Sequence, residues 1–87
     1  MEFSKDPDAV MDFAVDWSAW LGTDTITGVV WLTRAPLEVD HQGHTAKVAT
    51  VWLKGGEARQ SYPVTCRITT AAGRVDDRTF TVGVVQK

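Results

Sequence analysis

Apolar and polar residues alternate along several short stretches of the chain, and Gly or Pro separates most of these stretches. Period-two alternation puts successive side chains on opposite faces, so it predicts strands with one buried face. The first stretch is residues 11–17, whose apolar positions are Met11, Phe13, Val15 and Trp17. The next residues, 18–22, are too few for a stable helix and predict a 3₁₀-like corner that Ser18 caps and Gly22 ends.

The middle of the chain predicts three further strands. Residues 24–33 are rich in β-branched residues, which predicts a core strand that is contacted on both faces or bent at Gly28. Residues 37–39 predict a short edge strand, and the hydrophilic residues 40–44 predict a turn. Alternation resumes over residues 47–53 and predicts another strand.

The last third of the chain predicts a β-hairpin with arms at residues 62–70 and 75–85 and a turn at residues 71–74. One face of this hairpin is apolar, and we expect it to be buried between two sheets. Its residues are Val64, Cys66, Ile68, Phe80, Val82 and Val84. About seven short antiparallel strands at this spacing predict an all-β fold, a single immunoglobulin-like Greek-key β-sandwich.

Length and composition predict one folded domain. The chain has 87 residues, of which 44% are hydrophobic and 23% charged, as in an ordinary globular protein. We assign residues 11–87 to the sandwich and residues 1–10 to an acidic N-terminal arm. The arm offers little apolar surface, so we expect it to be loosely held until it meets a neighbouring subunit. Phe3 would then anchor the arm, and Asp6 and Asp8 would contact basic groups of that partner.

Charge and targeting signals exclude several classes of protein. A formal net charge of −2 disfavours nucleic-acid binding, since it supplies no broad positive field for phosphates. No apolar run approaches a membrane span, and the N-terminus lacks the pattern of a signal peptide. Residues 1–16 are acidic and residues 54–87 are mainly basic. This asymmetry is typical of solvated loops, or it guides head-to-tail docking with a neighbouring subunit.

Five residues are predicted to have structural roles. Tyr62 re-enters a strand after a glycine-bearing loop, which is typical of a tyrosine corner. Cys66 lies in an apolar register and is predicted to be a small buried hydrophobe, and as the single cysteine it forms no internal disulfide. Trp31 and Trp52 lie in the middle of strands and are predicted to be core residues, as is Phe80 in the hairpin.

Trp17 and Trp20 allow two interpretations. They flank the corner near the acidic arm, and tryptophan is common both in cores and at the energetic centres of interfaces. They are therefore partly buried within the domain or available as partner contacts.

The chain carries no recognisable catalytic, cofactor or metal motif. His41, His44 and Asp40 lack the further ligand and supporting shell that a usable metal site needs. Asp76 and Asp77 are adjacent on a strand and point to opposite faces, so they cannot act on one substrate. The sequence therefore predicts a protein that is not an enzyme, with no cofactor, metal site or catalytic residue.

Four segments, residues 16–21, 24–26, 49–56 and 62–80, resemble a family of small tailed-bacteriophage proteins called fiber-tail adaptor proteins. The most specific motifs are Asp-Trp-Ser-x-Trp-Leu and a Thr-Thr-x-Ala-Gly-Arg-like segment, and the similarity spans roughly residues 6–84. The resemblance implies a virion component of the tail, made in the host cytoplasm and present in multiple copies. It implies other tail, connector or fiber proteins as partners, with no nucleic acid and no membrane.

A second hypothesis is an immunoglobulin-like module that binds carbohydrate or a host surface. An exposed aromatic platform would favour that hypothesis over the adaptor. A small enzyme is disfavoured, because no set of polar groups converges in the sequence pattern.

Overall fold

The strands form where β-branched and aromatic residues alternate with polar ones, and the loops between them contain Gly and Pro. The computed structural model describes residues 2–86, so Met1 of the predicted arm and Lys87 of the predicted domain lie outside the described residues. The elements are β1 (Glu2–Lys5), β2 (Met11–Asp16), α1 (Ser18–Leu21), β3 (Ile26–Leu32), β4 (Leu37–His44), β5 (Val48–Gly55), β6 (Ser61–Thr70) and β7 (Val75–Val84).

Two sheets face each other across one core. Sheet A has the strand order β1-β7-β6-β3, and sheet B has the order β2-β5-β4. Sheet B and the β7-β6-β3 part of sheet A correspond to the B-E-D and G-F-C strand sets of an immunoglobulin sandwich. The predicted all-β sandwich is confirmed. One pair departs from the predicted antiparallel arrangement, because β1 runs parallel to β7.

The terminal hairpin is confirmed in position and in register. β6 and β7 pair antiparallel, with Val64 opposite Phe80 and Tyr62 opposite Val82. The six residues predicted to face the core are all buried, and they pack with the inward residues of sheet B. At about 25 cal/mol per Å² of apolar surface, this shared face is the main source of stability for the fold.

The corner after β2 is one turn of α-helix, not the predicted 3₁₀-like turn. Trp17 occupies the N-cap position and Ser18 is the first helical residue, so the Ser18 side chain does not cap the turn. The Asp16 carboxylate instead accepts a hydrogen bond from the Ser18 amide at 2.9 Å. Gly22 ends the turn as predicted, with a φ of 61° that favours glycine.

β3 is an edge strand of sheet A, which corrects its prediction as a core strand contacted on both faces. A β-branched run is equally compatible with an edge and a centre, so the sequence does not distinguish them. The predicted irregularity at Gly28 is confirmed, because the pairing with β6 shifts register between Ile26 and Gly28. Past that bulge, Trp31 faces the core and Val30 and Leu32 face outward.

β4 is an edge strand as predicted, but it is much longer than residues 37–39. Residues 40–44, predicted as a turn, continue β4, and residues 41–44 pair with β5 after a register shift between Val39 and His41. The turn lies instead at residues 45–47. Hydrophilic residues can occupy an edge strand because one side of such a strand faces solvent, so polarity alone did not locate the turn.

The first half of the predicted arm belongs to sheet A. β1 pairs with the last strand, with Phe3 opposite Val82 and Lys5 opposite Val84. Lys5 is fully buried, and its ammonium donates hydrogen bonds to the carbonyl oxygens of Asp6 at 2.7 Å and Gly55 at 2.8 Å. Burial lowers the pKa of Lys5, although the charges of Asp6 and Asp8 raise it. A short polar strand is stable here because β7 supplies its backbone partners.

Candidate partner-binding surface

Trp17 and Trp20 meet at the corner that α1 makes between the two sheets. Their rings contact edge to face, with centroids 5.4 Å apart. Trp17 has no exposed surface, whereas Trp20 is partly buried. Trp17 is therefore a core residue, and only Trp20 offers any surface to a partner.

Arginines of the terminal hairpin cover both indoles. The guanidinium of Arg74 lies 4.2 Å from the Trp20 ring centroid, and that of Arg78 lies 4.3 Å from the Trp17 centroid. Each arginine also donates to a backbone carbonyl of this region, Arg78 to Asp16 at 3.0 Å and Arg74 to Leu21 at 3.1 Å. We call Trp17, Trp20, Arg74 and Arg78 the tryptophan–arginine corner. Its cation–π contacts hold the hairpin against α1.

Asp24 joins the same corner to the hairpin turn. Its carboxylate accepts hydrogen bonds from the Ala72 amide at 3.1 Å and from Arg74 Nε at 3.0 Å. A hydrogen bond from the Thr70 hydroxyl, with those from the Thr25 and Ala72 amides and Arg74, outweighs desolvation and lowers the pKa of Asp24 to about 2. The Asp24 carboxylate is thus ionised at neutral pH and hydrogen-bonded to groups of its own domain.

The two most specific motifs of the sequence meet in this corner. Residues 16–21 supply the indoles and two backbone acceptors, and the hairpin turn at residues 71–74 supplies Arg74. Because both arginines donate hydrogen bonds to backbone carbonyls of residues 16–21, this cluster has a clear structural role. The spacing of Arg74 and Arg78 in the sequence gives no signal of the indoles that they cover.

The Phe3 ring packs against two core phenylalanines of its own domain. Its ring centroid lies 5.3 Å from that of Phe13 and 5.4 Å from that of Phe80. Asp6 and Asp8 follow in a tight turn, where Asp6 accepts a hydrogen bond from the Asp8 amide at 2.8 Å. Of these three candidate partner contacts, Asp8 is the exposed one and Asp6 is partly exposed.

Tyr62 has the geometry of a tyrosine corner. Its ring is buried, and its hydroxyl accepts a hydrogen bond from the Glu57 amide, five residues upstream, at 3.0 Å. Gly56 lets the loop approach this closely, because a Cβ there would come within 2.7 Å of a Val84 methyl group. The φ of 90° at Gly56 also favours glycine.

The remaining residues predicted to be structural lie as follows. Cys66, Phe80 and Trp31 are buried in the core. Burial raises the pKa of the Cys66 thiol to about 11, although Trp17 and Arg78 act in the opposite direction. The thiol is therefore protonated at neutral pH.

Trp52 is not a core residue. Alternate residues of β5, including Val51 and Leu53, face the core, so Trp52 faces outward from sheet B and is half-buried. The His41 ring stacks on it, with centroids 4.3 Å apart and planes at 14°, and His41 Nδ1 lies 2.7 Å from the Asp40 carboxylate. Sequence reasoning missed this stack because it placed His41 in a turn rather than opposite Trp52.

The outer face of sheet A is the most apolar exposed surface of the sandwich. Val30, Leu32 and Val75 are 53%, 43% and 59% exposed on it. Cross-strand polar pairs lie beside them, Thr65 with Thr79 at 2.9 Å and a bidentate ion pair between Arg67 and Asp77. The charges of Arg67 and Asp77 are therefore matched within this face.

Within residues 2–86, no enclosed pocket is found, and no three His, Cys, Asp or Glu side chains are grouped as metal ligands. No helix in this part of the chain is long and apolar enough to cross a membrane.

A family model described as podophage GP4 fiber-tail adaptor protein gp77 matches residues 5–83, from the last residue of β1 to almost the end of β7. A comparison with curated proteins returned no match. The family match confirms the resemblance carried by the motifs of the tryptophan–arginine corner, and its description indicates a structural adaptor in the phage tail. The chain therefore belongs to the podophage GP4 fiber-tail adaptor family.

Proposed function

We propose that this chain is a non-enzymatic structural protein of a phage particle that joins the tail or connector to tail fibers through protein–protein contacts. The observation that carries this proposal is the family match over residues 5–83, which includes strands of both sheets. Its partners are other tail, connector or fiber proteins, and the particle holds it in multiple copies. It needs no cofactor, nucleic acid or membrane for this role.

The arrangement of polar groups supports a structural role over a catalytic one. Asp77 is bound by Arg67 through two hydrogen bonds of 2.8 and 3.0 Å, and Asp24 is engaged by Arg74 and backbone amides. The Cys66 thiol is buried and its pKa is raised. These three groups, which could otherwise act as acid, base or nucleophile, are thus held in internal bonds or away from solvent.

Asp6 and Asp8 are the arm residues best placed to meet a partner. They lie in the turn that connects β1 of sheet A to β2 of sheet B. Exposed carboxylates at the edge of an interface mainly guide the encounter with a basic partner, and salt screens this attraction. Trp20 contributes the partly exposed edge of the tryptophan–arginine corner.

The alternative, an immunoglobulin-like module that binds carbohydrate or a host surface, rests on the partly exposed Trp52. A sugar ring would need a free face of the indole, and the stacked His41 ring occupies one face. Binding of the purified protein to a glycan array, lost in Trp52→Ala, would favour this alternative over the adaptor.

The adaptor role is tested by deleting the gene from the phage and examining the particles by electron microscopy. We expect particles whose tails lack fibers and regain them on complementation with the wild-type gene. Complementation with Asp6→Asn combined with Asp8→Asn should restore fewer fibers, whereas Asp12→Asn on the exposed side of β2 serves as the matched control. Fully fibered particles without the protein would contradict the proposal.

A further inference from the structure

β3 is an open sheet edge without the protection that the other edges carry. β1 is only four residues long, β2 exposes Asp12 and Asp16, and β4 has a bulge and exposes Glu38 and Asp40. Short strands, bulges and edge charges are the devices that prevent strands of different molecules from pairing. β3 has seven residues, none of them charged, and the segment after its bulge is regular.

The outward side chains of β3 are apolar as well. Val30 and Leu32 are 53% and 43% exposed, and they lie opposite Arg67 and Thr65 of β6. Because Arg67 is paired with Asp77, the charge directly opposite Val30 is matched. Within the described residues no strand lies beside the outer edge of β3, although the Ile26 amide at its start donates a hydrogen bond to the Ala46 carbonyl oxygen at 2.9 Å.

We propose that β3 pairs antiparallel with β3 of a second copy of this chain, with Val30 of one copy opposite Leu32 of the other. This register is centred on Trp31, and it lines up the outward Val30 and Leu32 side chains of both copies as one apolar strip. A register centred on Val30 would leave Leu32 opposite Gly28. A register centred on Leu32 would place Val30 opposite the charged Arg34.

The properties of the edge favour a second copy as its occupant. A two-fold interface requires a patch that is complementary to itself, and an uncharged strand of β-branched residues meets that requirement without like-charge repulsion. In the proposed register Arg34 lies opposite Gly28, so no charge faces another across the pair. The inference is independent of which tail or fiber protein the adaptor contacts.

The pairing involves one short strand and two outward apolar side chains per copy, less than the roughly 1,200 Å² that a stable interface buries. The association is therefore weak in dilute solution and favoured where several copies are held close together. A test of this pairing therefore needs concentrated protein.

The first test is sedimentation equilibrium of the purified chain up to about millimolar concentration, a range set by the expected weak association. The mass should rise from 9.6 kDa towards twice that value. Val30→Lys should weaken association at least tenfold, because it places a charge in the apolar strip. Val75→Lys is the matched control, since Val75 is equally apolar, is exposed on the same sheet face, and lies on β7, two strands from β3. A monomer at all concentrations, or equal weakening by both variants, would overturn the proposal.

The second test examines the register, and it does not depend on how well Val30→Lys folds. Directly opposed residues of an antiparallel pair have Cα atoms about 4.5–5.5 Å apart, within reach of a disulfide. In an equimolar mixture of Val30→Cys and Leu32→Cys chains of different length, random oxidation gives twice as much mixed disulfide dimer as either homodimer. The proposed register should raise the mixed dimer well above that twofold excess, with the buried Cys66 left unreacted. A mixed dimer at or below twice the yield of either homodimer would contradict the register. If particles that contain a strictly monomeric chain still carry fibers, β3 pairing is refuted and the adaptor role is not. If the chain dimerises but is absent from particles, the adaptor role is refuted and β3 pairing is not.

Discussion

At the scale of single residues, Tyr62 shows how one hydroxyl can fix the passage of the chain from one sheet to the other. Its bond to the Glu57 amide closes the loop between β5 and β6, and the buried ring holds that loop against the core. We expect Tyr62→Phe to lower the free energy of unfolding by about 0.5–1.5 kcal/mol, the net contribution of a typical hydrogen bond. Urea denaturation followed by tryptophan fluorescence measures this change.

Thr79→Val is a suitable control for Tyr62→Phe, because it also removes one hydrogen-bonded hydroxyl, but at an exposed position. Its effect should be smaller, since solvent can satisfy the remaining Thr65 hydroxyl. An unchanged denaturation midpoint in Tyr62→Phe would show that the corner bond contributes nothing to stability.

The lowered pKa of Asp24 affects how the free energy of unfolding responds to acid. Its pKa of about 2 in the folded chain is below the ordinary 3.8, so the unfolded chain takes up the proton first as pH falls. The stability that this carboxylate contributes is therefore complete above pH 3.8 and is lost as the pH falls towards 2. Asp24→Asn should flatten the fall in urea midpoint across this window. Identical acid profiles for variant and wild type would contradict this assignment.

Which side chains face the core was predictable only where the strand itself was placed correctly. Period-two alternation gave the inward residues of β2 and of the hairpin, including Phe13 and Val64. Trp52 was assigned to the core from its size and mid-strand position, although Val51 and Leu53 beside it take the inward positions. The cover that Arg78 gives to Trp17 joins residues far apart in sequence, and no local pattern indicates it.

At the scale of elements, β1 is the strand whose attachment most needs measurement. Phe3 holds it to the core through Phe13 and Phe80, but its ring is only partly buried. We expect Phe3→Ala to lower the free energy of unfolding by about 1–3 kcal/mol, less than for a fully buried phenylalanine. Ser4→Ala, on the exposed side of the same strand, should change it by less than about 0.5 kcal/mol.

Hydrogen exchange of the β1 amides complements that measurement. Parallel pairing with β7 should protect the amides of Phe3 and Lys5, whose backbone groups face β7, though less than those of the central strand β6. Rapid exchange at these positions, together with no effect of Phe3→Ala, would instead support the loosely held arm that composition predicts.

Elements were predictable where their own residues determine them. The hairpin of β6 and β7 has strict alternation and a glycine-bearing turn, both of which are local properties. The edge position of β3, the length of β4 and the pairing of β1 depend on which strands lie alongside, and that information is spread over the whole chain. Residues 2–5 have the composition of a loosely held tail, because the strand that stabilises them, β7, is at the other end of the described chain.

At the scale of the whole molecule, Cys66 reports on cooperative unfolding. It lies in the centre of β6 with no exposed surface, and burial raises the pKa of its thiol to about 11. With an opening free energy of at least about 5 kcal/mol, thiol labelling should be about 10³-fold slower in the folded than in the urea-unfolded chain. Val75→Cys supplies an exposed thiol as the control. Rapid labelling of Cys66 in the folded chain would show that the sandwich opens locally at β6.

The parallel pairing of β1 with β7 also determines how the domain responds to mechanical load. These strands lie near the two ends of the described chain, side by side and pointing the same way, with Glu2 opposite Thr81 and Lys5 opposite Val84. Tension between the ends would pull the strands in opposite directions along their length, so that all their backbone bonds are sheared together instead of being unzipped one by one. Pulling from the two ends in force spectroscopy should therefore require a higher rupture force than pulling the hairpin apart from residues 70 and 75.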